Sequence, residues 1–216
     1  KDYLTNSTLD NQQKALLTIK QSLSARDLAK AAFATHVRDL ITEAKLNYPV
    51  LDPIINNLTE SQNYYQAEAR KSLTLVTLAD INAYDKDYLK NYLEPEKNIK
   101  LGIVASKIAK LKYFHVQQEA ALVKLKTKLP SNPSLRVAER ITDLENGLTN
   151  ISTKIDTMSN LLVSEEGRDN TESEIFYTSK LEPLNEIRTL QLNWIDLLID
   201  LDLNYAEIWD NKPWSY

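Results

Sequence analysis

The chain has no cysteine, three glycines and one methionine in 216 residues. Without cysteine there are no disulfides, no thiolate metal ligands and no cysteine nucleophile. This absence does not by itself assign a compartment. So few glycines leave little material for tight turns, positive-φ positions or a loop that cradles phosphate. No P-loop, dinucleotide fingerprint, Gly-x-Ser-x-Gly or His-Glu-x-x-His pattern occurs. No stretch approaches the roughly 18 apolar residues of a membrane-spanning helix. A basic excess is also missing. The net charge is −4 and the pI about 5.4, which argues against a nucleic-acid binder. No signal peptide is visible, and the chain begins at Lys1, as a mature chain or a cut fragment does, so the missing leader says little about export.

Hydrophobic residues make up 43% of the chain, enough for a core. Leu, Ile, Ala, Lys and Glu are plentiful and strand-like alternation is absent. These features predict an all-α protein of long antiparallel helical hairpins with coiled-coil packing. A first helix is expected from about Leu9, with Asn6, Ser7 or Thr8 as N-cap. Phe33, Val37, Leu40, Ala44, Tyr48, Leu51, Ile55 and Leu58 step by three and four along one seam. Pro49 and Pro53 interrupt it. Because the seam keeps its phase, the expectation is a kinked helix rather than two helices. Ser72–Ile81 reads as a turn with a buried face. A second long helix is expected from about Leu78, with Pro95 as a kink or a break and Ile99, Ile103, Ile108, Leu111, Phe114 and Leu122 inside. Pro130-Ser131-Asn132-Pro133 is the clearest boundary. Beyond it, Leu135, Ile141, Leu144, Leu148, Ile151, Ile155, Met158 and Leu162 form one face. Ser164–Thr171 is polar and reads as a loop or interruption. Ile187, Leu190, Trp194, Leu198, Leu201, Tyr205 and Ile208 form a last heptad seam.

One short pattern occurs twice. Leu75, Leu78, Asp80 and Ile81 match Leu181, Leu184, Glu186 and Ile187 at a constant offset of 106 residues. Leucine-rich helices also produce such matches by chance. As a duplication, the pattern predicts two internal repeats within one packed helical domain: residues 1–129 as the first hairpin and 130–216 as the second.

Candidate chemistry is sparse. His36 and His115 have no spaced partner of the kind a zinc site or triad needs. Asp196 with Asp200, and Asp80 with Asp85, read as solvated acidic faces. Glu165-Glu166-Gly167-Arg168-Asp169 lacks the alternating spacing of a calcium loop. Sequons stand at Asn6, Asn57 and Asn150. Trp209, Trp214 and Tyr216 gather near the C-terminus, to dock on the bundle or to meet a partner. No catalytic residue, metal site or cofactor is implied, and the residues alone read as a non-enzymatic helical bundle.

The two repeated turns resemble the helix tips of the TolC family, the trimeric outer-membrane channels of bacterial efflux and type I secretion. Family tips read roughly Gly-x-x-x-x-x-Asp-Val or Leu before a long coiled-coil helix. Leu75–Ile81 fits the first tip and Leu181–Ile187, with Glu186, the second. Arg188–Leu192 through Asn204–Trp209 is similar to the family's last helix, and Ala31–Tyr48 to the helix before the first tip. Thr74 and Lys180 replace the tip glycine, Pro183 sits in the second tip, and the barrel strands are absent. The resemblance implies a periplasmic tunnel domain in the bacterial cell envelope, which meets the outer membrane only through the absent barrel segments. It further implies a homotrimer in full-length form and a periplasmic adaptor as partner. Thr77, Asp80, Asn82, Glu186 and Arg188 would gate the entrance or contact the adaptor; otherwise they are helix caps and surface charges. The alternative is a secreted or surface helical bundle that binds a protein partner. A helical pore-forming toxin would need a more hydrophobic hairpin than Leu73–Ile81.

Overall fold

The computed structural model describes residues 8–43, 48–164 and 170–204. Among them are six α-helices and one 3-10 turn, with no strand: α1 Leu9–Thr42, the turn Pro49–Leu51, α2 Asp52–Leu73, α3 Leu78–Asn91, α4 Leu93–Lys128, α5 Leu135–Ser164 and α6 Asn170–Asn204. No helix of the described residues is long and apolar enough to cross a membrane.

The prolines set several of these limits. α1 begins where Thr8 Oγ1 accepts a hydrogen bond from the Asn11 N–H (3.3 Å) and ends at Thr42. Pro49 and Pro53 do not kink one helix, as the seam predicted; they stand at the start of a second. Pro49 opens the 3-10 turn, and Pro53 lies in the first turn of α2, where a missing N–H costs nothing because those donors have no intrahelical acceptor. Pro95 acts one turn upstream. Its ring would meet the carbonyl of Asn91, and α3 ends at Asn91. Tyr92 then joins α3 to α4 with the backbone ladder still bonded: the Tyr92 N–H donates to Tyr88 O (3.0 Å) and the Glu96 N–H to Tyr92 O (3.1 Å). Pro130 and Pro133 stand in the connection between α4 and α5, at the expected boundary.

Cross-helix contacts give the directions. Arg38 donates to Gln62 (2.9 Å) and Lys30 lies 5.2 Å from the Tyr65 ring, so α2 runs back along α1. Asn98 Nδ2 donates to Ser61 Oγ (3.2 Å), and Gly102 faces both Leu58 and Val37. The first half of α4 is therefore antiparallel to α2 and parallel to α1. In the second half, Lys112 meets Asp156 and Lys126 meets Glu145, so α5 returns along α4. Lys154 meets Glu186 (2.9 Å) and Arg140 meets Asp200 (3.7 Å), so α6 runs antiparallel to α5 and parallel to α4. Each half of α4 thus completes a three-helix arrangement, first with α1 and α2, then with α5 and α6.

A helix used this way is apolar nearly all round. Ile99, Leu101, Val104, Ala105, Ile108 and Ala109 of α4 are all buried, with Lys97 and Asn98 beside them. Where α1, α2 and α4 cross, small residues let the backbones approach. A Cβ on Gly102 would lie within 2.9 Å of Leu58 and Val37 side-chain carbons. α1 presents Ala31, Ala34, Val37 and Ile41 to this crossing. The predicted seam is out by part of a turn: Phe33 is 46% exposed and Leu40 half-buried. On α5 the predicted face is buried from Ile141 to Leu162, with Val137 in place of the exposed Leu135. On α6, Ile187, Trp194 and Leu201 are buried. Tyr205, Ile208 and Ala44 lie outside the described residues.

The two halves meet at Tyr48. Its hydroxyl donates to Asp156 Oδ1 (2.9 Å) and stands 2.7 Å from Ser159 Oγ, with the Lys112 ammonium 5.2 Å from its ring. Burial, chiefly, pushes the Tyr48 hydroxyl up to about 12.

Candidate functional site

The first repeated motif is a helix start. Thr77 is the N-cap of α3: its Oγ1 accepts from the Asp80 N–H (3.1 Å), and Asp80 Oδ2 accepts from the N–H groups of Thr77 (2.7 Å) and Val76 (3.0 Å). This is a reciprocal capping box. The donated hydrogen bonds hold the Asp80 carboxyl below its ordinary range. Asn82 is exposed on α3. The expected buried face is present in part: Ser72 is buried and Leu75 packs against the core, while Leu73 and Val76 are exposed.

The second motif is not a turn. Leu181–Ile187 lies inside α6, and the helix continues through Pro183. At the 106-residue offset Pro183 stands where Thr77 does. It has no hydroxyl to cap Glu186, so no helix begins there. Glu186 instead pairs with Lys154 of α5. The two motifs also lie apart. The first is past the start of α4, where Lys71 pairs with Asp87; the second is beside the middle of α4. Roughly 35 Å of helix axis separates them at 1.5 Å per residue. Thr77, Asp80 and Asn82 are therefore not brought together with Glu186 and Arg188.

Arg188 belongs to a different feature. It lines a groove of about 450 Å³ between α4 and α6, with Lys107, Lys110, Leu111, Tyr113, Phe114, Leu184, Asn185, Gln191 and Leu192. The floor is fixed by an amide crossing: Gln191 Nε2 donates to Leu111 O (2.8 Å) and Gln118 Nε2 to Gln191 O (3.1 Å). Above it, Tyr113 and Leu192 are 47% and 49% exposed. A second groove of about 320 Å³ follows, lined by Ala121, Lys124, Leu125, Lys128, Leu198, Ile199 and Asp202. Lys110, Leu111 and Phe114 become Lys124, Leu125 and Lys128 after fourteen residues, and Leu184, Asn185 and Arg188 become Leu198, Ile199 and Asp202 after the same interval. Fourteen residues are two heptads, so α4 and α6 stay in step as a parallel coiled-coil pair. The two grooves lie end to end along the pair, in a furrow lined by α4 and α6 and by no residue of α5.

A buried polar cluster ties α1, α2 and α3. Asp27 is fully buried, bonded by Arg26 Nε (2.8 Å) and Nη2 (3.0 Å) and by the Tyr84 hydroxyl (2.9 Å). Arg26 stacks 3.9 Å from the Tyr88 ring. Tyr84, Tyr88 and Tyr92 stack in turn at 6.0 and 5.6 Å. Lys30 reaches Glu96 between the rings of Tyr65 and Tyr92. Burial, then the bond to Asp27, pushes the Tyr84 hydroxyl up. The chain's own cations occupy the aromatic faces, so the cluster fastens helices together.

The remaining candidates stay apart. His36 is exposed. His115 is buried, 3.2 Å from Glu119 through Nε2, and burial lowers its pKa. Asp200 reaches Arg140 across the α5–α6 contact. No group of three or more His, Asp or Glu able to hold a metal occurs among the described residues. Asn6, Glu165–Asp169, Trp209, Trp214 and Tyr216 lie outside them. The resemblance implies a tip position for Arg188, whereas the structure places it in the α4–α6 furrow, which the sequence does not announce. Its lining residues are legible on α4 (Lys107, Lys110, Tyr113, Phe114) and on α6 (Leu184, Arg188, Leu192), but which helices pair is a tertiary fact. Comparison of the chain with family models, curated proteins and solved structures finds no match.

Proposed function

We propose that this chain is a non-enzymatic binding module that accepts a partner helix along the α4–α6 furrow. One observation carries the reading: two parallel helices held in heptad register leave their shared seam open, with Tyr113, Phe114, Leu192 and Ile199 partly exposed along it. Parallel helices in this register pack a further helix by knobs into holes. The reading takes up the partner-binding alternative. The channel reading asks for two helix tips at one end of the molecule, and Leu181–Ile187 lies within a helix beside the middle of α4.

The test uses the absence of cysteine. Leu192→Cys in the furrow and Leu89→Cys on α3 are each labelled with an environment-sensitive fluorophore. Neutral, acidic and basic amphipathic helical peptides are then titrated in. A saturable change at position 192 and none at 89 supports the reading. No change with any peptide, or equal changes at both positions, overturns it.

A further inference from the structure

We infer that the partner of the α4–α6 furrow is an acidic amphipathic helix of about twenty residues. The inference rests on the furrow's being a docking site and adds what docks there.

Charge carries it. The chain has a net charge of −4, yet Lys107, Lys110, Lys124, Lys128 and Arg188 line the furrow against one carboxylate, Asp202. No carboxylate among the described residues lies within ion-pair distance of Lys107, Lys110, Lys124 or Arg188. At neighbouring helix contacts, by comparison, Lys126 pairs with Glu145 and Lys154 with Glu186. A local cationic lining attracts an anionic partner and repels the same furrow face of a second copy. The form of the partner follows from the spacing. An apolar floor that repeats every two heptads takes apolar anchors at i, i+3, i+4 and i+7. Lysines and arginine on the rims then meet carboxylates flanking that stripe. From Lys107 to Lys128 the furrow runs roughly 30 Å, the length of a 20-residue helix. A flat basic patch would suit an anionic lipid surface; a furrow with a recessed apolar floor suits a helix.

The probe is a 21-residue peptide with Leu at heptad a and d positions and Glu at the flanking ones. Its control is the same peptide with Lys for Glu. Both are labelled and titrated by fluorescence anisotropy against the full chain and a Lys107→Glu/Lys110→Glu/Arg188→Glu variant. The acidic peptide should bind the wild type at least tenfold more tightly than the basic one and weaken with salt. The variant should invert that preference, so that the basic peptide binds it; this inversion excludes loss of fold as the cause. Equal binding of the two peptides, or tighter binding of the basic one, leaves a helix-docking furrow but overturns the acidic partner. Binding of neither overturns both readings. Protection of Leu192→Cys in a self-associated form assigns the furrow to a second copy, and binding of anionic vesicles without the acidic peptide assigns it to a membrane surface; either overturns the inference.

Discussion

Gly102 shows how a single side chain sets the spacing of three helices. It has no Cβ where α1, α2 and α4 cross, and Leu58 and Val37 fill that space. Gly102→Val should overpack the crossing and destabilise the chain by about 1–3 kcal/mol, read as a lower urea midpoint. Gly147 plays a similar part on α5: a Cβ there would lie 3.1 Å from the Trp194 ring, whose Nε1 donates to Leu144 O (2.9 Å). The scarcity of glycine points to few turns, but these two glycines serve close packing within helices. At the α3 start, Thr77→Ala removes the hydroxyl that caps Asp80 and should cost about 1 kcal/mol. Asp80 adds a pH dependence of known sign. Its folded pKa lies below the ordinary value of 3.8, so its contribution is complete above that value. It is lost as pH falls through the folded value. His115 has the same direction in a different window. Burial lowers its pKa from 6.5, against the opposing pull of Glu119. The unfolded chain takes the proton first, so stability should fall as pH drops below about 6.5, where ordinary histidine titrates. His115→Gln should flatten that limb of the stability–pH curve, measured by urea titration at a series of pH values.

At the scale of elements, periodicity made helices legible, and proline chemistry placed several of their ends. The faces were legible where large aliphatic residues recur, as on α5 from Ile141 to Leu162. They were not legible on α1, where alanines face the core and Phe33 faces outward. A small residue is the better choice where another backbone comes close, and no pattern within α1 reports that approach. The paired motifs misled for a related reason. Leu-x-x-Leu with an acidic residue and isoleucine begins a helix after Thr77, but continues one through Pro183, where the capping hydroxyl is missing. Proline in a helix interior lacks a donor and crowds the preceding turn. Pro183→Ala should therefore raise stability by about 1–3 kcal/mol, seen as a higher thermal midpoint by circular dichroism.

For the whole molecule, α4 is the shared member. A helix of 36 residues spans about 54 Å and gives half its length to each three-helix arrangement. Tyr48, bonded to α5, ties the two again. Unfolding should therefore be a single transition. All three tryptophans lie at or beyond Trp194, so their emission reports on the second half. Gly102→Val, in the first half, should shift the midpoint of that emission as much as that of far-ultraviolet circular dichroism. A tryptophan midpoint left unmoved would show that the halves unfold separately.

By itself the sequence determined the helical class, the break at Pro130–Pro133 and the apolar face of α5. Each of these depends on local chemistry: backbone propensity, proline's missing donor and a 3.6-residue period. Only the tertiary structure decided which helices are neighbours. It made α4 common to both halves, put Leu181–Ile187 in mid-helix beside Lys154, and set Arg188 across a furrow from Lys107 and Lys110. Such contacts join residues from 32 to some 80 positions apart, and their energies depend on how whole helix faces fit together, which no short stretch of sequence contains.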